Sequence, residues 1–121
     1  MQDLTPYAIM KISFDNPKHE ALVNDFDALC RRYNKKSDDC ATEILDTINA
    51  LHVADSLFDL PRVYHPHPLS GEYKGYFAAN ATKTHRVIFK PDHDGDPEFR
   101  IDNPKSIKTI IILEIFKDYH K

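Results

Sequence analysis

Residues 74–90, KGYFAANATKTHRVIFK, decide the fold of this chain, because here the apolar spacing changes from helical to alternating. Lys74 to Ala79 and Thr84 to Lys90 are predicted to be paired strands joined by a polar turn of four residues. Val87 and Phe89 fall on one face of the second strand, with Arg86 on the other. The pattern indicates an antiparallel hairpin with one apolar face and one mixed face.

Two further strands are predicted outside this hairpin. Ile107 to Phe116 contains a nearly continuous apolar run, which is typical of an inner strand that is covered on both faces. The loosely alternating segment Ala8 to Phe14 is predicted to be the first strand and is a candidate partner of the last one. Between the hairpin and the last strand, Pro91 to Pro104 is predicted to be a polar, acidic loop.

Two amphipathic segments separate the first strand from the hairpin. The pair Asn16-Pro17 is a helix start, and an apolar stripe predicts one helix of about four turns that continues to Tyr33. Ser37 or Asp38 is predicted to cap a second helix, which runs to about Phe58. Their short connection predicts an antiparallel helical hairpin.

The predicted order is strand, helix, helix, strand, strand, strand, in a single domain that spans residues 1–121. This is an α+β fold, with the helical hairpin packed on a mostly antiparallel four-stranded sheet. No apolar run approaches the roughly 20 residues of a membrane helix, and the first residues lack the regions of a secretory signal. We therefore expect a cytoplasmic protein with no membrane partner. In that compartment Cys30 and Cys40 are expected to be packed, unpaired thiols.

Charge is distributed unevenly along a chain whose formal net charge is −3. Residues 61–90 contain five basic side chains and only one acidic side chain, Glu72. The basic residues are Arg62, Lys74, Lys83, Arg86 and Lys90. A local anion-binding site is therefore predicted on a protein that is acidic overall.

Two regions carry side chains suited to chemistry. His65 and His67 alternate with prolines that favour extended backbone, so their imidazoles are predicted to project from a stiff loop. A metal site would need a third ligand, for which the candidates are His85, His93 and His120. The alternative is that both are surface or hydrogen-bonded loop histidines. At the end of the last strand, Tyr119 and His120 form a candidate acid–base pair.

Four motifs in the second half resemble the RelE/ParE toxin superfamily, and especially its HigB-like branch. They are His67-Pro68-Leu69-Ser70-Gly71, Lys74-Gly75-Tyr76-Phe77, His85-Arg86-Val87-Ile88-Phe89 and the segment from Glu114 to His120. The resemblance covers about half of the chain, and the first half agrees only in the order of its elements.

The resemblance implies a small α+β toxin of a type II toxin-antitoxin system. RelE and HigB members cleave messenger RNA at the ribosome without a metal or cofactor, whereas ParE members inhibit DNA gyrase by protein contact. It also implies a cognate antitoxin as partner. This chain departs from the pattern in its negative charge and in Ala78 and Ala79, where relatives often carry a basic residue. A gyrase-type binding protein and a decayed domain of the same fold are the alternatives.

The expected cleavage chemistry assigns roles to particular residues. When a ribose 2′-OH attacks the adjacent phosphate, the site needs a base, positive charge and an acid for the leaving oxygen. Arg86 is the first candidate for binding the phosphate, with Lys74 assisting. His120 or His67 is the candidate base or acid, and Tyr119 is expected to orient the nucleotide or to stack on a base.

Overall fold

The computed structural model describes residues 10–34, 39–54, 60–92 and 109–118, and it has the predicted α+β architecture. The described strands are β1 (Lys11–Phe14), β2 (His67–Pro68), β3 (Phe77–Asn80), β4 (His85–Pro91) and β5 (Thr109–Asp118). The described helices are α1 (Pro17–Val23), α2 (Phe26–Tyr33) and α3 (Cys40–Val53). Short 3-10 turns at Arg62–Tyr64 and Gly71–Tyr73 flank β2.

The strands form one sheet in the order β1-β5-β4-β3-β2. β1 runs parallel to β5, and the other neighbouring pairs are antiparallel. The last strand is therefore an inner strand paired with the first, as the apolar run predicted. The sheet has one strand more than the four predicted, because β2 has only two residues, one of them a proline, and is too short to show alternation.

The core lies between α3 and one face of the sheet, which we call the inner face. Ile44, Ile48 and Leu51 on α3 are fully buried, together with Val87 and Phe89 on β4. Thr47 lies on the same helix face, and its hydroxyl donates a hydrogen bond to the backbone carbonyl of Asn80 at 2.7 Å. The helix is thereby attached to the end of β3 as well as packed against the sheet.

The segment predicted to be one long helix is divided into α1 and α2. Asn24 ends α1, since its backbone N–H donates to the carbonyl of Glu20 at 3.0 Å. Asp25 then caps α2, because its carboxylate accepts a hydrogen bond from the backbone N–H of Ala28 at 3.2 Å. Asn and Asp side chains favour helix ends over helix interiors, so the helix breaks at this pair. The apolar stripe continues on both sides of the break and therefore does not reveal it. The prediction of one helix was wrong.

Two other predicted boundaries also differ. α3 ends at Val53 rather than near Phe58, because Ala54 has extended backbone angles of φ −75° and ψ 134°. β3 begins at Phe77 rather than Lys74, because residues 74–76 form a turn in which Gly75 has a φ of +96°. Three predicted features lie outside the described residues: the helix caps at residues 37 and 38, the expected helix end at Phe58, and most of the acidic loop.

Cys30 and Cys40 are not joined in a disulfide; Cys40 is buried and Cys30 is half-buried, in agreement with the prediction of packed thiols. Among the described helices, none is long and apolar enough to cross a membrane.

Candidate active site

The candidate site lies on the face of the sheet opposite the helices, which we call the outer face. Side chains alternate along β4, so Val87 and Phe89 pack into the core while Arg86, Ile88 and Lys90 lie on the outer face. The register between neighbouring strands then determines which side chains lie beside Arg86.

Arg86 lies in a row of polar residues that crosses three strands. It is directly opposite Asn80 of β3 on one side and Lys117 of β5 on the other. Directly opposite residues have Cβ atoms roughly 5 Å apart, and like charges in such a pair destabilise the sheet. The pair places two positive charges side by side on one face of the sheet. The row is therefore suited to bind a phosphate group.

Lys117 is a site residue that the sequence analysis missed. Continuing the pairing of Phe89 with Ile112 by three residues in each strand would place Ile115 opposite Arg86. Two register shifts, between Arg86 and Ile88 and between Ile88 and Phe89, bring Lys117 there instead. These irregularities act as β-bulges in β5, and nothing in the apolar pattern marks them.

His67 lies on the same outer face as Arg86. It pairs with Ala78, which in turn pairs with Ile88, so the His67 row is two residues along the strands from the Arg86 row. The backbone positions of His67 and Arg86 are about 7 Å apart along the strands and about 10 Å apart across them. One extended ligand could therefore contact both side chains.

The hydrogen bonding of His67 determines which ring nitrogen can accept a proton. Its Nδ1 lies 2.7 Å from the backbone carbonyl oxygen of His65. A carbonyl oxygen can only accept, so Nδ1 must carry the hydrogen in this bond. In the neutral ring Nε2 then bears the lone pair. His67 is thus hydrogen-bonded at the start of β2 rather than in a loop, and its Nε2 has the electronic form of a proton acceptor.

The other predicted site residues do not join this group within the described residues. Lys74 is exposed at the end of the Gly71–Tyr73 turn, before β3, whereas Asn80 and its partner Arg86 lie at the far end of that strand. Tyr119 and His120 lie outside the described residues, immediately after Asp118 at the end of β5. Their predicted roles stay predictions.

His85 precedes Arg86 but lies on the opposite face of the sheet. It is buried, and its ring stacks on Phe116 with centroids 3.8 Å apart and planes 6° apart. Its Nδ1 lies 2.9 Å from the hydroxyl of Thr84, and its Nε2 lies 3.9 Å from a carboxylate oxygen of Asp118. His85 therefore cannot join His65 and His67 as a third metal ligand. Among the described residues, no group of three potential ligands is positioned to hold a metal.

The aromatic packing at this end of β5 extends to α2. Tyr33 packs against Phe116, with ring centroids 4.7 Å apart. Burial raises the pKa of the Tyr33 hydroxyl, nearby Arg32 opposes that effect, and Glu114 reinforces it. Tyr33 is thus a neutral packing residue at ordinary pH. The cluster supports the C-terminal end of β5, where Lys117 lies.

A cavity of about 380 Å³ lies elsewhere, between α3, the turn after β3 and the Arg62–Tyr64 turn. Its lining includes Glu43 and Asp46 of α3 together with Tyr64, but neither Arg86 nor His67. The lining has two carboxylates against one cation, Lys83, and it meets the row only at Asn80, so the candidate site is instead the pair of cations on the outer face.

The fold is similar to that of a YoeB/ParE toxin from Agrobacterium tumefaciens. The two chains are 16% identical, with a TM-score of 0.53, over 91% of this chain and 100% of the other. A mutant of YafQ from E. coli is 21% identical, with a TM-score of 0.43 and 87% coverage of each chain. No protein-family model and no curated protein matches the sequence. The likeness to the Agrobacterium structure confirms the predicted α+β fold, and nothing distinguishes the HigB-like branch.

Proposed function

We propose that this protein is the toxin of a type II toxin-antitoxin system and cleaves messenger RNA without a metal. The observation that supports this most directly is the pairing of Arg86 with Lys117 on the outer face, with His67 on the same face. RNA presents a phosphate in every nucleotide, with a ribose hydroxyl beside it. A pair of cations and a nearby proton acceptor are the groups needed to make that hydroxyl attack.

In the proposed reaction, Nε2 of His67 takes the proton of a ribose 2′-OH as its oxygen bonds to the adjacent phosphorus. Arg86 and Lys117 bind the phosphate oxygens, where negative charge develops in the transition state. The bond from phosphorus to the 5′-oxygen then breaks, and Tyr119 or His120 supplies the proton to that oxygen. The products are a 2′,3′-cyclic phosphate and a free 5′-hydroxyl.

The proposed partner is an antitoxin that covers the outer face. A segment that neutralises Arg86 and Lys117 should carry Asp or Glu residues, since complementary charge fixes the orientation of a complex. Coexpression with the product of a neighbouring small gene should therefore restore growth, and the two chains should co-purify. If this chain proves abundant and harmless when it is expressed alone, the assignment as a toxin fails.

The rival function is non-catalytic inhibition of DNA gyrase. One observation favours it: β3 carries no basic side chain, and both Ala78 and Ala79 are fully buried. RNA-binding surfaces usually gain affinity from additional cations, so a weakly basic sheet suits a protein target better.

Induced expression followed by two measurements separates these functions. Cleaved transcripts with 5′-hydroxyl ends and normal plasmid supercoiling are expected for the endoribonuclease. Intact transcripts with altered supercoiling would replace it with the gyrase inhibitor. Intact transcripts, normal supercoiling and unimpaired growth would indicate a decayed domain.

A further inference from the structure

The residue that holds His67 in place is itself in an unusual conformation. His65 has a φ of +45°, the one positive φ among the described non-glycine residues. Side chains with a Cβ seldom adopt this left-handed region, and a following proline, here Pro66, further disfavours helical backbone. Such conformations persist only where the surrounding structure enforces them, and they are concentrated at functional sites.

Three contacts hold His65 between the preceding turn and His67. The backbone N–H of His65 donates to the carbonyl of Arg62 at 2.9 Å, which closes the preceding 3-10 turn. The carbonyl of His65 accepts the hydrogen bond from Nδ1 of His67 at 2.7 Å. The two imidazoles also pack together, with ring centroids 4.6 Å apart and planes tilted by 37°. The left-handed backbone thus sets where the carbonyl oxygen lies relative to the His67 ring.

We propose that His65 is a positioning residue whose carbonyl fixes neutral His67 as the tautomer with hydrogen on Nδ1. An unrestrained neutral imidazole side chain favours the other tautomer, in which Nε2 carries the hydrogen and cannot accept a proton. The strained turn therefore selects the less favoured form and leaves Nε2 bare on the outer face. The catalytic meaning of this assignment rests on the proposed ribonuclease function, but the tautomer itself does not.

The first test is the ¹⁵N spectrum of the full chain, labelled at its histidines. The spectrum is recorded at alkaline pH. Long-range ¹H–¹⁵N correlations should then show Nδ1 as the protonated nitrogen and Nε2 as the bare one. A spectrum with hydrogen on Nε2 in the unaltered chain would overturn the proposal without any variant.

Three substitutions at one position separate the carbonyl from the ring. His65→Gly and His65→Asn retain the carbonyl and suit a left-handed backbone, so both should keep hydrogen on Nδ1 of His67. His65→Val disfavours that backbone and should shift hydrogen toward Nε2. Loss of the Nδ1–H form in the Gly and Asn variants would assign the effect to ring packing and refute the carbonyl assignment. These two variants decide the question even if His65→Val does not fold.

Cleavage of a single-stranded oligoribonucleotide provides the second measurement. His65→Gly should retain most of the parent kcat, whereas His65→Val should lose on the order of 100-fold in kcat with little change in KM, as expected when a general base is lost. Equal kcat values in folded Gly and Val variants would refute the positioning role. If the unaltered chain shows the expected tautomer but cleaves no RNA, the proposed function fails while the tautomer assignment stands.

Discussion

At the scale of single residues, Arg86 and Lys117 combine two positive charges on a chain whose net charge is −3. Affinity for a phosphate depends on the local potential, which falls off within about 8 Å at physiological salt, and not on the total charge. An overall acidic composition is therefore compatible with a local anion site. It also suits a protein that binds RNA at one small site rather than over a broad basic surface.

Arg86→Ala and Lys117→Ala should each lower the cleavage rate by about 100-fold, because each removes a group that stabilises charge in the transition state. Lys83→Ala is the matched control, since Lys83 is exposed in the turn after β3 and outside the row. Rates from purified variants, with melting curves to verify folding, provide the measurement. A Lys117→Ala variant as active as the Lys83→Ala control would remove Lys117 from the site.

The predicted acid can be tested in the same assay. His120→Ala should remove most of the activity if His120 protonates the leaving oxygen, and activity on a substrate with a more acidic leaving group should be affected much less. A uniform loss with both substrates would assign His120 to binding rather than to proton transfer.

His52 makes stability depend on pH. Burial lowers its pKa below the ordinary value of about 6.5, and a hydrogen bond with the Met10 backbone opposes this only in part. The unfolded chain then binds the proton more tightly, so stability is full above about pH 6.5 and falls as the pH drops below it. His52→Gln should flatten this part of the profile in urea unfolding, whereas the exposed substitution Asn49→Gln on the same helix should not. An unchanged slope in His52→Gln would refute this origin.

At the scale of elements, β5 shows how a strand's irregularity can build a site. Two register shifts let Ile115 keep its place in the core while Lys117 lies opposite Arg86. Each extra residue at a β-bulge changes which residue of β5 lies opposite a given residue of β4, and strict alternation would not allow that change. The strand thus contributes to the core and to the proposed phosphate site at once.

The contact between α3 and β3 links the helix layer to that site. The Thr47 hydroxyl bonds the Asn80 carbonyl, and Asn80 is the cross-strand neighbour of Arg86. Thr47→Val keeps the shape but removes the hydroxyl that donates to this carbonyl, which should cost about 0.5–1.5 kcal/mol of unfolding free energy. Thr42→Val on the exposed face of α3 is the matched control and should change stability by no more than about 0.5 kcal/mol. Equal destabilisation of the two variants in urea would show that this bond contributes nothing.

At the scale of the whole molecule, the two faces of the sheet have separate tasks. The inner face packs against the helices around α3, and the outer face carries the cations and His67. Separating the two tasks lets charged residues occupy the sheet without entering the core.

This arrangement predicts how the protein responds to a chelator. In the proposed mechanism Arg86 and Lys117 supply the positive charge that a metal would otherwise provide, so cleavage of the single-stranded oligoribonucleotide should persist in excess EDTA. The melting temperature should also be unchanged. Activity that is lost to EDTA, restored by a divalent transition metal and abolished by His65→Ala would instead establish a metal enzyme and refute the proposed mechanism.

The sequence by itself determined the α+β class, the inner position of the last strand and the candidacy of Arg86 and His67. Apolar periodicity reports which face of an element is buried, and that information is local. Only the tertiary structure decided that Lys117, and not Lys74, lies beside Arg86, because that neighbour depends on register shifts between strands distant in sequence. The break at Asn24 and Asp25 and the contact of His67 with the His65 carbonyl were also decided there, since each depends on individual hydrogen bonds that periodicity does not encode.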